Sequence, residues 1–536
     1  MSLPRVVIIG GGFAGAFTAK YLQKYAGKSI DVELIDAENY FVFQPLLPEV
    51  ASGTINAPDA VTPLRYMLPK VRVRMAEVTH VDTESKKVHF LQGSRRIPQY
   101  IEYDYLVLAV GQKTNIDIAP GFREHSLAMR DLADAHELRN HIIQCLEHAD
   151  VTQNAELKKQ LLTFVVAGGG FSGVETIGEL TEMIKRTLKF YPNISADDIQ
   201  PVLVQKGDGL LPELAPSLGT YAQKKLEARN VAVILNDSVC TATADAVTLE
   251  DGTLIRTKTL VTTVGNGPQP VTGRLGVPLE HGKIKVKRDL SVVNHDNVWA
   301  AGDAALIPLH DGGFAPPTAQ YATREARCVA KNIIGKVTGK EPQEFAYKPQ
   351  GSLASIGNYK AVAEVYGVRL SGLLAWMMWR FLYIGMLPGF STRLRVALNW
   401  MFDYFLPRSI VQIATKKESS SQFRCYAKGD IIAEPGQRVD GFYTVISGCL
   451  ESRTTGPAGT EDFVRILGPG DHWGERALAE DTTVIATLTA VDDSRVMILP
   501  AEDFRNLCNT FPALDDYFDK ISDKIYAPSL RRHSDG

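Results

Sequence analysis

The 536-residue chain predicts an α/β architecture built on two repeated strand–turn–helix units. The first observation behind this is an internal likeness. VVIIGGGFAGAFTAKYL (Val6–Leu22) and TFVVAGGGFSGVETIGEL (Thr163–Leu180) each run from a β-rich stretch through GxGxxG into a helix-period stretch. The second is that each copy is followed by another buried-strand pattern, DVELID ending at Asp36 and QPVLVQ ending at Gln205. The third is size and composition. At about 150 residues per domain the length implies three or four domains, and 45% hydrophobic with 22% charged residues is ordinary for chains that bury cores.

The glycines of the two turns are Gly10, Gly12 and Gly15, then Gly168, Gly170 and Gly173. Without side chains they let backbone amides and a helix N-terminus approach a pyrophosphate, so both units read as Rossmann-like dinucleotide-binding domains. The second strands separate the ligands. Asp36 presents a carboxylate that accepts two hydrogen bonds from a ribose, which suits an adenosine with free hydroxyls such as that of FAD. Gln205, followed by Lys206, lacks the charge that would repel a 2′-phosphate, so the second unit is expected to admit NADPH as well as NADH. Equally, Gln205 stands in for a carboxylate in the same ribose contact. YLVLAVG (Tyr105–Gly111) and LVTTVG (Leu260–Gly265) are buried-strand runs ending in glycine, each closing a unit. VWAAGDAA then brings Gly302 and Asp303, an acidic residue placed either for ribityl hydroxyls or as a helix N-cap.

Charge and cysteine content narrow the classes. Lys plus Arg total 58 and Asp plus Glu 61, a net charge of −3 that argues against a dedicated nucleic-acid binder. The six cysteines are at least 24 residues apart, so no CxxC, zinc or dense disulfide pattern is present and no metal is expected. A reducing cytoplasm is the simplest compartment. The first strand begins at Val6, leaving no room for a signal peptide.

One segment departs from the average. LLAWMMWRFLYIGMLPGF (Leu373–Phe390) is apolar at 14 of 18 positions, yet it is short of the ~20 residues of a membrane span and is interrupted by Arg380, Gly385, Pro388 and Gly389. After Ser391, Leu394, Leu398, Met401 and Phe405 share one helical face, closed by Pro407. Trp376, Trp379 and Trp400 suit a headgroup zone. Five arginines (369, 380, 393, 395, 408) against Asp403 leave a local charge of +4, which favours an anionic lipid surface. We expect two amphipathic interfacial helices, not a spanning one; a buried core helix or a dimer contact is the alternative.

Together these residues resemble the two-dinucleotide-domain flavoproteins, and within them the type II NADH dehydrogenases, the non-pumping NADH:quinone oxidoreductases. The resemblance covers about residues 4–408. Beyond the fingerprints it rests on YFVFQPLLPEVASG (Tyr40–Gly53), FSGVE (Phe171–Glu175), FAPPTAQYATREA (Phe314–Ala326) and FAYKPQGSLASIGNYKAVAEVYG (Phe345–Gly367). It implies FAD in the first domain (Gly10, Gly12, Gly15, Asp36, Gly111, Gly302, Asp303) and NADH or NADPH in the second (Gly168, Gly170, Gly173, Gln205). The nucleotide domain would be inserted in the FAD domain, which explains why Gly302 and Asp303 come after the second fingerprint. Hydride would pass to the flavin and two electrons on to a membrane quinone, the cofactor carrying the chemistry. Glu175 is implied near the nicotinamide and flavin, assisting proton delivery, although a carboxylate is favourable in any first helical turn. Ala319, Gln320 and Tyr321 match the quinone-site motif, with Gln320 as donor to a quinone carbonyl; Tyr321 and Ala322 follow where small residues are often seen. The bland reading of that stretch is a helix start after Pro316 and Pro317. Sulfide:quinone oxidoreductases and disulfide reductases need a cysteine pair that Cys145, Cys240 and Cys328 do not match. Proton pumping needs polar pathways through spanning helices, which are not expected here.

ATKKESSSQ (Ala414–Gln422) reads as a linker. The remainder, with YAKGDIIAEPGQRVDGFYTVISGCLE (Tyr426–Glu451), VRILGPGDHWGERAL (Val464–Leu478) and AEDFRNLCNTFPALDDYF (Ala501–Phe518), resembles a cyclic-nucleotide-binding domain over about residues 423–525, which implies a small β-roll. Gly474 and Glu475 match its nucleotide cassette, but Val484 stands where the phosphate-binding Arg is expected, and Arg476 is out of register. The missing charge-assisted bond is worth ~1.5–3 kcal/mol. A structural or protein-binding module is therefore set beside a cyclic-nucleotide sensor.

The expected order is an FAD domain (1–161 and 271–345) enclosing an NAD(P)H domain (162–270), a membrane-contact segment (346–408), a linker (409–422) and a cyclic-nucleotide-binding-like domain (423–536). The chain is expected to be a homodimer, peripheral on the cytoplasmic face of the cell membrane. A redox- or nucleotide-responsive regulatory protein with weak turnover is the second reading.

Overall fold

The computed structural model describes residues 3–412, 422–454, 463–479 and 483–511, with a few isolated positions beyond. Most of the expected linker lies outside the described residues.

Val6, Val7, Ile8 and Ile9 are almost wholly buried on both faces, which is why this strand is a continuous apolar run with no alternation. It sits inside a seven-stranded sheet, flanked in parallel by Tyr105–Leu108 and Asp31–Asp36. Val298–Ala300 closes one edge, parallel to Tyr105–Leu108. Arg72–Asp82 pairs parallel to Asp31–Asp36, and Lys87–Gln92 and Ile97–Glu102 continue the other edge antiparallel. The second sheet has five parallel strands, in the order Ser126–Ala128, Thr259–Thr262, Thr163–Ala167, Gln200–Gln205 and Ala232–Leu235.

The chain leaves the first sheet and returns to it through a two-stranded antiparallel ribbon, Gln112–Thr114 with Asn266–Pro268. The nesting of one domain in the other is thus visible, but its near boundary is not residue 162. Ser126–Ala128 already belongs to the second sheet. This three-residue strand has no apolar run to announce it in the sequence.

Both fingerprint turns are as tight as their glycines require. Gly10 and Gly168 hold φ of +104° and +111°, and a Cβ on Gly15 or Gly173 would stand 1.8 or 1.7 Å from the carbonyl oxygen of Gly10 or Gly168.

After the dinucleotide domains, an antiparallel sheet of Gly351–Gly357, Lys360–Val365 and Val368–Gly372 leads into helices Leu373–Met386 and Phe390–Phe405. Among the described residues no helix is long and apolar enough to cross a membrane. Leu394, Leu398, Met401 and Phe405 are exposed together, as are Leu373, Leu374 and Phe381, so the stripe faces outward and is not core. Two expectations need correction. Trp379 and Trp400 turn inward, at 1% and 8% exposure, because their indole N–H groups meet buried carboxylates. Nor is the local +4 a free basic surface. Arg380, Arg395 and Arg369 pair with Glu49, Asp59 and Glu364, Arg408 pairs with Glu179 and Asp403, and Arg393 binds the carbonyls of Gly385 and Leu387.

The C-terminal unit is two four-stranded antiparallel sheets closed over Val445, Leu450, Leu467, Trp473, Val484 and Leu488, a β-roll as expected. It abuts the second dinucleotide domain. The Cys425 N–H donates to His125 Nε2 at 2.8 Å, and Arg495 pairs with Glu124 at 2.9 Å.

Gly15→Ala sets a methyl against backbone that cannot retreat, so it is expected to destabilise the first domain by ~1–3 kcal/mol. Thermal denaturation checks this; an unchanged melting temperature contradicts the tight turn.

Candidate active site

A cavity of about 550 Å³ opens at the C-terminal ends of the first sheet, where open α/β sheets place their ligands. It gathers the Gly10–Gly12 turn, Asp36, Gly111, Gly302, Asp303 and Ala319, residues drawn from both halves of the interrupted domain. Helix Phe13–Tyr25 starts at Gly12 with no side-chain cap, and a Cβ on Gly12 would meet nothing within 4 Å. Its first N–H groups therefore face open space, as an anion site requires. Asp36 accepts the N–H of Gly11 and, at 2.7 Å, that of Glu38; burial nevertheless raises its carboxyl above the usual range. Asp303 pairs with Arg130 at 3.0 Å, and the Gly302 N–H donates to Glu325 at 2.7 Å. Burial pushes Glu325 up to about 7. Arg130 lies in no motif, and Glu325, although within FAPPTAQYATREA, carries no local mark of its role; the fold brings both to the turn. An uncapped helix start, a carboxylate at the end of the second strand and a second acidic group suit a dinucleotide.

The second turn repeats the first with one exchange. Gln205 Oε1 accepts the Gly169 N–H at 2.8 Å, as Asp36 accepts that of Gly11. The amide oxygen is thereby occupied, and the free end of the side chain is an NH2 donor. Lys206 is mostly exposed and reaches Glu250 at 3.7 Å.

Between the dinucleotide domains and the exposed helices lies a buried set of carboxyls. Glu175, on the first turn of helix Phe171–Thr187, accepts the Ser355 N–H at 2.9 Å and the Trp379 indole N–H at 3.2 Å. It has no cation partner among the described residues, and burial pushes it up to about 8. Glu49 accepts the Trp400 indole N–H at 2.8 Å and stands 3.5 Å from the Arg380 guanidinium; burial outweighs both and pushes it up to about 7. Glu179 accepts the Ser52 hydroxyl at 3.0 Å and pairs with Arg408 at 3.4 Å. Glu49 lies in the quoted stretch YFVFQPLLPEVASG, where a carboxylate amid apolar neighbours is a signal of burial.

Ala319 lines the first cavity, while Gln320 is engaged within the chain. Its NH2 donates to the Gly351 carbonyl at 2.9 Å, and its Oε1 accepts the Tyr347 hydroxyl at 3.0 Å. One amide N–H is left for a ligand. Tyr321 is buried, edge-on to Tyr347.

In the β-roll, Gly474 holds φ +99° and Glu475 is buried, with neither carboxylate oxygen hydrogen-bonded among the described residues and His472 Nδ1 at 3.5 Å. Val484 packs into the apolar interior, so no charge enters the cassette from that position. The Arg476 side chain lies outside the described residues.

Two dinucleotide turns on nested sheets, with a buried acid beside them, define a pyridine-nucleotide-linked oxidoreductase. The pyridine nucleotide-disulphide oxidoreductase family matches residues 4–326, the NDH2 C-terminal domain residues 350–409 and the cyclic nucleotide-binding domain residues 423–511. The type II NADH:quinone oxidoreductase Ndh of Mycobacterium tuberculosis is 31% identical over 80% of this chain and 94% of its own. Demethylphylloquinone reductase NdbB of Synechocystis is 28% identical over 74% and 96%. Among solved structures, NDH2 of Plasmodium falciparum in complex with NADH has a TM-score of 0.72 at 22% identity, over 76% of this chain and all of that one. The chain belongs to the type II NADH:quinone oxidoreductase family, with a cyclic nucleotide-binding domain appended. It is an oxidoreductase.

Because Glu175 keeps its proton in the folded protein up to about pH 8 but loses it near 4.5 when unfolded, stability falls as pH rises through that window. Glu175→Gln, neutral throughout, is expected to lack this fall and to be the more stable protein at pH 9 by a few kcal/mol. Melting curves of both proteins from pH 5 to 9 check it; parallel curves contradict a neutral Glu175.

Proposed function

We propose that the protein oxidises NADH, and NADPH as well, with FAD in the first cavity, and reduces a membrane quinone by two electrons without pumping protons. The observation that carries this reading is the doubled turn geometry beside a buried, uncompensated carboxyl. When bound, FAD supplies the chemistry of accepting a hydride and handing on two electrons. The Gly10–Gly12 turn and the uncapped helix start hold its pyrophosphate, Asp36 its ribose, and Gly302 and Asp303 its ribityl side. Gly168, Gly170 and Gly173 do the same for the nicotinamide nucleotide. Glu175, protonated at neutral pH, holds a proton for the quinone, and the remaining Gln320 N–H orients a quinone carbonyl.

Gln205 decides the second nucleotide. With its oxygen taken by Gly169, it turns an uncharged donor outward, which does not repel a 2′-phosphate. Gln205→Glu is expected to lower kcat/KM for NADPH by at least tenfold more than for NADH; equal losses in steady-state assays with a quinone acceptor contradict the assignment.

The apolar outer faces of helices Leu373–Met386 and Phe390–Phe405 bring the enzyme to its quinone on the cytoplasmic face of the membrane. Since the arginines are paired, apolar insertion and not basic attraction carries the contact. Leu398→Glu with Phe405→Glu is expected to abolish sedimentation with lipid vesicles while reduction of a water-soluble quinone continues. Retained sedimentation contradicts the assignment. The His125–Cys425 and Arg495–Glu124 contacts favour regulation of this enzyme by its appended domain.

A further inference from the structure

The network around Glu49 and Glu175 contains five carboxyls (Glu49, Glu175, Glu179, Glu182, Asp403) and four guanidiniums (Arg186, Arg229, Arg380, Arg408). Glu182 pairs with Arg186 at 2.8 Å and Arg229 at 3.5 Å, and Asp403 with Arg186 at 3.2 Å and Arg408 at 2.9 Å. A buried carboxyl that no guanidinium fully neutralises is best accommodated with its proton on. Glu175, which meets no cation among the described residues, is one such carboxyl. Glu49 is the other, its single guanidinium being shared between stacking and pairing. Arg380 lies 4.3 Å from the ring centres of both Trp376 and Trp400 while it reaches Glu49 at 3.5 Å. Trp379 and Trp400, the indoles on the two carboxyls, have ring centres 6.0 Å apart. Both come from the outward-facing helices, so the elements that meet the membrane also grip the two acids.

We propose that Glu49 is a positioning residue for quinone reduction: a second buried carboxyl, held by Arg380 and Trp400, from which Glu175 regains its proton after each turnover. This rests on the function proposed above. NADH, quinone and one proton give NAD⁺ and quinol. One hydrogen of the quinol arrives with the hydride electrons and the other is the Glu175 proton. The resulting Glu175 carboxylate takes the Glu49 proton, and Glu49 is refilled from water. The charged groups bearing on Glu49 are Arg380, Glu179 and Arg408; those on Glu175 are Glu49 and Glu179. Only the protonated acids serve, so the rate falls as pH rises through 7 to 8.

The test uses the flavin-loaded full chain. Infrared titration of buried carboxyl bands from pH 5 to 9 is expected to show three protonated groups lost, those of Glu49, Glu175 and Glu325, and two in Glu49→Gln. In stopped flow, Glu49→Gln is expected to slow reoxidation of the flavin by quinone about tenfold more than its reduction by NADH. Trp400→Phe, a milder change, removes a donor that favours the carboxylate, so it is expected to move the alkaline limb to higher pH. Identical infrared titrations in the wild type and Glu49→Gln overturn the proposal, as does an unmoved limb in Trp400→Phe. The infrared measurement needs no quinone. A wild-type protein that titrates Glu49 near neutral pH but never reduces quinone contradicts the functional reading instead.

Discussion

Two indole–carboxyl contacts, Trp379 to Glu175 and Trp400 to Glu49, fasten the outward-facing helices to the dinucleotide scaffold. Unpaired carboxyls are costly in an apolar interior. Each is retained here by donors from a different part of the chain: Ser355 from the small antiparallel sheet, Trp379 and Arg380 from the first helix, Trp400 from the second. Removing the helices would therefore do more than free the protein from a surface. It would take Trp379 from Glu175 and both Trp400 and Arg380 from Glu49, which is why point changes on the outer face perturb the buried acids less than a deletion does.

The dinucleotide scaffold supplies the other constraint. Each fingerprint turn permits only glycine where the helix crosses its own strand, and each turn fixes the side chain at the end of the next strand through one amide, Gly11 to Asp36 and Gly169 to Gln205. The geometry is held constant while the chemistry changes from a charged acceptor to a neutral donor. One architecture thus repeats the same turn with two different side chains, with the ribbon of Gln112–Thr114 and Asn266–Pro268 as the only paired strands joining the two sheets among the described residues.

Much of this was legible in the sequence because periodicity and glycine spacing are local. The turns, their acidic or amide partners, the return of the chain at Gly302 and the β-roll all follow from short patterns. What escaped depends on contacts far apart in the chain. Trp379 and Trp400 looked like headgroup residues because aromatic content does not say which face a ring takes, and the arginines looked like a basic patch because Glu49, Asp59, Glu179 and Glu364 lie elsewhere in the sequence. Arg130 and Glu325 were silent for the same reason, and Ser126–Ala128 was too short to announce itself as the first strand of the inserted domain.

The proposed function requires electrons to enter from a nicotinamide nucleotide and to leave to a quinone at the same cofactor. The direct measurement is an anaerobic titration of the purified full chain, followed by the visible absorbance of its flavin. One equivalent of NADH per flavin is expected to bleach it, and one equivalent of quinone is expected to restore it. A flavin that NADH does not bleach, or that stays bleached in the presence of quinone, contradicts the account.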